Sequence, residues 1–252
     1  MSLDKKDLHP LGEVFGFPID NESDRAMRYR DNKLCPFNNI VSNCTKNSIE
    51  FPLGVCSLKH KGKQVIICPI RFREDWIIIS NAANFIFGDK ATWTHVGEVK
   101  LKDKHGKSAG NIDYVLVSYD EKGQVVDFGS LEVQAVYISG NLMGPFTTYL
   151  ENPVSDFTWT KAFKYPKPDY LSSSRKRLIP QIIAKGSILN QWNKSKLLHC
   201  RQAFITPYPH FQRLKRQNQI LPSFFTSLFL TIKQEYFLLN FRELFIQNSQ
   251  ML

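Results

Sequence analysis

The stretch NIDYVLVSYDEKGQVVDFGSLEVQAVYI, residues 111–138, carries the reading of the fold. From Ile112 to Tyr119 it is rich in β-branched and aromatic residues. Glu121-Lys122-Gly123 follows as a turn, and Val125 to Ile138 is a second, longer β-run, so the spacing predicts two antiparallel strands. Asp113 lies on the first strand, and Glu132 and Gln134 on the second. Strand side chains alternate between faces, so Glu132 and Gln134, two apart, share one face. Asp113 can lie beside them across the antiparallel pair.

Upstream, Val96 to Leu101 alternates and predicts another strand, carrying Gly97-Glu98-Val99, before the turn Lys104-His105-Gly106. Trp76 to Phe87 reads as a helix with Gly88 past its C-terminus. Downstream, Leu142 to Pro168 reads as irregular. Ser172 to Asn190 reads as a helix with a basic start at Arg175, Lys176 and Arg177, and Pro180 kinks it or marks its first turn. With a helix on either side of these three strands, the expected fold class is α/β.

Acids on neighbouring strands suit Mg²⁺, a hard ion that takes oxygen ligands and keeps several waters when one or two carboxylates hold it. Such an ion assists phosphodiester hydrolysis by lowering the pKa of water and stabilising phosphoryl charge. Gln134 is neutral: it can orient water or a phosphate oxygen but cannot supply charge. The plainer reading of the same residues is the solvated face of a half-buried hairpin.

Cys35, Cys44, Cys56 and Cys68 are spaced C-x8-C-x11-C-x11-C, without the short knuckle of a zinc finger. They read either as core thiols or as a closed tetrahedral thiolate site, which Zn²⁺ or Fe fits. The formal net charge of +10 favours a polyanion such as DNA or RNA. Arg175, Lys176 and Arg177 are candidate phosphate contacts or, equally, a solvated charge run. No apolar run approaches the roughly 20 residues of a membrane span, and Met1 to Pro10 lacks a signal-peptide core, so a cytoplasmic protein is expected.

From about Lys194 the character changes. Residues 195–252 hold seven Lys/Arg against two acids, no Gly, and no sustained helical or strand periodicity. Permissible codons for Leu197 to Leu214, read in a shifted frame, yield native-looking strand patterns. The tail therefore reads as a frameshifted replacement, and the alternative is a genuine basic tail. The expected division is 1–72, an N-terminal segment with the cysteines; 73–194, the catalytic core; and 195–252, the atypical tail.

Taken together, Glu13-Val14-Phe15-Gly16, Cys35-Pro36-Phe37, Cys44, Gly54-Val55-Cys56, Cys68-Pro69, Gly97-Glu98, Ile112-Asp113 and Leu131-Glu132-Val133-Gln134 resemble the NotI family of restriction endonucleases. The resemblance spans residue 10 to about 190 and rests on the ordered series of four cysteines followed by E…D…E-x-Q. It implies a PD-(D/E)XK nuclease core with Gln in the Lys position, and a small N-terminal four-cysteine subdomain binding iron. It also implies a Mg²⁺-dependent homodimer cutting palindromic double-stranded DNA. By match to the motif, Glu98, Asp113, Glu132 and Gln134 would form the catalytic site, Asp113 and Glu132 would hold Mg²⁺, and the four cysteines would be the Fe or Zn ligands. The competing expectation is an inactive, four-cysteine DNA-binding relative.

Overall fold

A computed structural model describes residues 9–153, 165–191, 196–201 and 227–231. The chain forms two compact units: residues up to Ile77 together with Ala135–Ser173, and Ile78–Gln134 together with residues from Ser174 onward. Among the described residues, 135–153 and 165–173 fall with the cysteine-bearing unit, and 196–201 and 227–231 with the second.

The first unit is built on a four-stranded sheet, ordered β2-β1-β3-β4, from β1 (Leu11–Val14), β2 (Phe17–Pro18), β3 (Val55–His60) and β4 (Lys63–Ile66). Phe15 and Gly16 join β1 to β2 with φ of 48° and 87°. A Cβ on Gly16 would lie 2.3 Å from Pro36 Cγ, so both the turn and the close approach require glycine there. Leu11, Val14, Val55 and Leu58 are fully buried; each such side chain contributes about 1.5–3 kcal/mol of transfer energy. Helix α1 (Asp24–Asp31) is capped by Ser23 Oγ, which accepts from Ala26 N at 3.3 Å. A 3₁₀ segment, Pro69–Trp76, follows β4. Its Arg71 donates to both carboxylate oxygens of Glu13 at 3.1–3.2 Å and pairs with Glu74 at 2.6 Å.

Leu142 to Pro168 was expected to be irregular, but α3 (Met143–Glu151) is a helix. Leu142, Phe146 and Tyr149 follow helical spacing and are buried, and Pro145 falls in the first turn, where its missing N–H costs nothing. The Tyr149 hydroxyl donates to Ile19 O at 3.1 Å. The unit also contains the strand pair β8 (Tyr137–Ser139) and β9 (Lys167–Asp169).

The second unit contains α2 (Ile78 onward of the helix Ile77–Phe87) and a five-stranded sheet ordered β11-β10-β7-β6-β5. Its strands are β5 (Trp93–Lys102), β6 (Ser108–Tyr119), β7 (Val125–Gln134), β10 (Lys196–Arg201) and β11 (Ser227–Thr231). The β5–β6 and β6–β7 connections repeat one device. Asp103 Oδ1 accepts from His105 N and Lys107 N, and Asp120 Oδ1 from Lys122 N and Gln124 N, at 2.8–2.9 Å. The anticipated run from Val125 to Ile138 is broken: β7 stops at Gln134, and Val136 N donates instead to Ile66 O at 3.1 Å.

After a single turn, α4 (Tyr170–Ser172), the chain is π-helical over Ser173–Leu178 and then α-helical over α5 (Ile179–Gln191). Pro180 therefore sits in the first turn of α5, and the wide stretch precedes it because Pro180 offers no N–H to the turn before. Ile188 and Leu189 of α5 pack against Leu101 and Ile112 of the sheet. β10 runs parallel to β7, and β11 antiparallel to β10. Strand structure thus recurs beyond Lys194, where periodicity was not expected to persist; most of the tail lies outside the described residues.

Candidate active site

Three carboxylates lie at one level across β5, β6 and β7. Gly97 is opposite Tyr114 and Val99 opposite Ile112, which places Glu98 opposite Asp113. One step beyond the pair Tyr114–Leu131, Asp113 falls opposite Glu132. The β6–β7 ladder ends there because the Asp113 side chain takes over a backbone role: Oδ2 accepts from Val133 N at 2.8 Å. Glu98 is exposed, adopts a φ of 55°, and its Oε2 accepts from Asn111 Nδ2 at 3.4 Å. Positive φ at a non-glycine strand residue is a strained conformation and marks the level of the acids.

Glu132 is only 3% exposed. A buried carboxylate needs a partner, and the partner here is Lys185, whose Nζ donates to Glu132 Oε2 at 2.9 Å and reaches Gln181 Oε1 at 3.4 Å. Burial pushes the Asp113 carboxyl above the usual carboxylate range. The Val133 N–H, the Lys185 charge and a hydrogen bond with Glu132 oppose that rise, while Glu98 adds to it. Gln134, half-buried, ends β7 two residues past Glu132 and pairs in register with Cys200 of β10. Arg175, Lys176 and Arg177 are exposed on the π-helical stretch of the same unit.

Sequence reasoning missed Lys185. Its signal was a lysine at a core position: Ile182, Lys185 and Leu189 are spaced i, i+3, i+7 on one helical face, and all three are buried.

The four cysteines lie together in the first unit. Cys35 N donates to Ser42 O and Cys44 N to Lys33 O, closing one loop; Cys68 N donates to Cys56 O at 3.3 Å, joining the other two. Burial raises the thiols of Cys35, Cys44 and Cys56, and neighbouring cysteine charges raise each further. Lys46 lies among them, donating from Nζ to Val55 O at 2.9 Å and Ile67 O at 3.4 Å. The donor set matches a thiolate site in kind. In placement, no three His, Cys, Asp or Glu side chains among the described residues stand so as to hold an ion. The pair Asp113 and Glu132, two carboxylates, is the number a largely hydrated Mg²⁺ takes from protein.

The family model described as restriction endonuclease NotI matches residues 13–239. The chain belongs to the NotI restriction endonuclease family. It is thus by family a nuclease of the type II restriction class, with DNA as its partner. The NotI match takes in all four cysteines, all three acids and Gln134, and it runs past Lys194 into the segment of atypical composition. Curated proteins gave no match. No helix of this NotI-family chain, among the described residues, is long and apolar enough to cross a membrane.

Proposed function

We propose that this chain is a Mg²⁺-dependent type II endonuclease that hydrolyses phosphodiester bonds of double-stranded DNA at a specific palindromic site, with a PD-(D/E)XK core in its second unit. The observation that supports this most is the row of Glu98, Asp113 and Glu132 across three adjacent strands. Asp113 and Glu132 would hold the ion, with Glu98 beside them. Bound there, Mg²⁺ would lower the pKa of the attacking water and stabilise charge on the phosphoryl oxygens. Gln134 orients that water or a phosphate oxygen through its amide. Arg175, Lys176 and Arg177 grip phosphates and set the register of the duplex without reading its sequence. Two copies about a twofold axis would cut both strands of a palindrome.

The cysteines Cys35, Cys44, Cys56 and Cys68 serve, in this reading, a structural Fe or Zn ion that orders the loops of the first unit. Such sites need deprotonated thiols, so binding would release protons.

Digestion of a large mixed-sequence plasmid, with and without Mg²⁺, tests the cutting activity against Asp113→Ala. Discrete fragments that require both Mg²⁺ and Asp113 are expected. An intact plasmid in Mg²⁺, or a fragment pattern that survives Asp113→Ala, overturns the mechanism.

A further inference from the structure

The E-x-Q sequence at Glu132 leaves the acid cluster without a cation on its own strand, since Gln134 is neutral. The fold supplies one from elsewhere. Lys185 is 4% exposed and stands 53 residues away in the chain, yet its ammonium lies 2.9 Å from Glu132 Oε2. Its charge also reaches Asp113. Its stem passes over Gly110 of β6, where an added Cβ would already touch Lys185 Cε at 3.5 Å.

This placement does not arise by default. A lysine on the core face of a helix is costly to bury, and a leucine at that position would extend the apolar contact of Ile182, Ile188 and Leu189. The ammonium instead contacts Glu132, one of the three acids that the resemblance puts at the reaction centre.

We infer that Lys185 is a positioning residue for the cleavage reaction: delivered from α5, it holds the Glu132 carboxylate in place and supplies the positive charge that Gln134 cannot. The inference rests on the nuclease reading above. Lys185 holds Glu132 Oε2 at 2.9 Å and so fixes the position of the carboxylate beside Asp113. It also offsets the mutual repulsion of the two acids before any ion arrives.

The test uses the full-length chain, a supercoiled plasmid cut by the wild-type protein, and three measurements: single-turnover cleavage in Mg²⁺, plasmid binding in Ca²⁺, and thermal melting. Lys185→Met keeps the stem and removes the charge. It is expected to bind plasmid within threefold of wild type while its cleavage rate falls at least 100-fold. Adding Gln181→Lys, whose side chain already reaches the Lys185 ammonium from one turn earlier, should restore the rate to within tenfold of wild type. A Lys185→Met protein that cuts within threefold of wild type overturns the assignment, as does a folded double variant that restores nothing. If Lys185→Met alone does not fold, the double variant decides: cleavage below a hundredth of the wild-type rate overturns the assignment. Wild-type protein that fails to cut would instead remove the nuclease reading itself.

Discussion

Asp113 performs two tasks that different substitutions separate. Its carboxylate accepts from Val133 N at 2.8 Å, holding the end of β7 against β6, and it faces Glu132 as a proposed ligand. Asp113→Asn keeps an acceptor oxygen for Val133 N–H and removes the charge. Asp113→Ala removes both and leaves a half-buried N–H unsatisfied, a loss of about 1–3 kcal/mol. For a chain of this size that corresponds to about 2–12 °C in Tm between the two variants, with the alanine lower.

Protonation gives a second readout. The Asp113 pKa is raised in the folded chain, chiefly by burial, so the native state holds the proton more tightly than the unfolded state. Stability contributed by this group is then present in full at pH below the unfolded value and is lost as pH rises through the folded one. Asp113→Asn should therefore gain on the wild type above that window and lose its advantage below it. Calorimetry of the three proteins at pH 3 and pH 8, beside the plasmid digest, measures both effects. An alanine variant that melts with the asparagine variant would refute the backbone role. An asparagine variant that cuts DNA at the wild-type rate would refute the catalytic one.

Other outcomes follow from the same geometry. Glu132→Gln leaves the Lys185 ammonium buried beside a neutral amide and should cost about 3–5 kcal/mol; combining it with Lys185→Met should recover most of that in a urea titration. Arg71→Met strands Glu13, 4% exposed, and should destabilise the first unit by a similar 3–5 kcal/mol, read by amide exchange of β1 and β3. Metal analysis of the purified protein should find Fe or Zn, and Cys56→Ser should lose it; a metal-free wild type with an unchanged melting curve would remove the four-cysteine site. Replacing Arg175, Lys176 and Arg177 with alanine should lower the salt slope of DNA binding by about 2–3, and an unchanged slope would show that none of them meets a phosphate.

The hairpin around residues 111–138 was legible because strand periodicity and turn chemistry are local: β-branched runs on either side of Asp120-Glu121-Lys122-Gly123 allow few other arrangements. The opposition of Asp113 and Glu132 was not: it depends on the register shift between Ser118 and Tyr119, without which Asp113 would face Leu131. The helix α3 was not legible, since Pro145 and the aromatic residues around it obscured the spacing of Leu142, Phe146 and Tyr149. The break at Gln134 was hidden too: Val136 belongs to the β-branched run by type, but its N–H bonds to Ile66, and no window of sequence reveals that partner.

The chain by itself therefore determined the hairpin of residues 111–134 and the sharing of one strand by Glu132 and Gln134, because both depend on residue type at short spacing. Only the tertiary structure decided that residues 135–153 and 165–173 join the first unit and that Lys185 meets Glu132. Both are long-range outcomes: the apolar seam of Ile188 and Leu189 on Leu101 and Ile112 docks α5, and that docking, not any local pattern, carries the lysine to its acid.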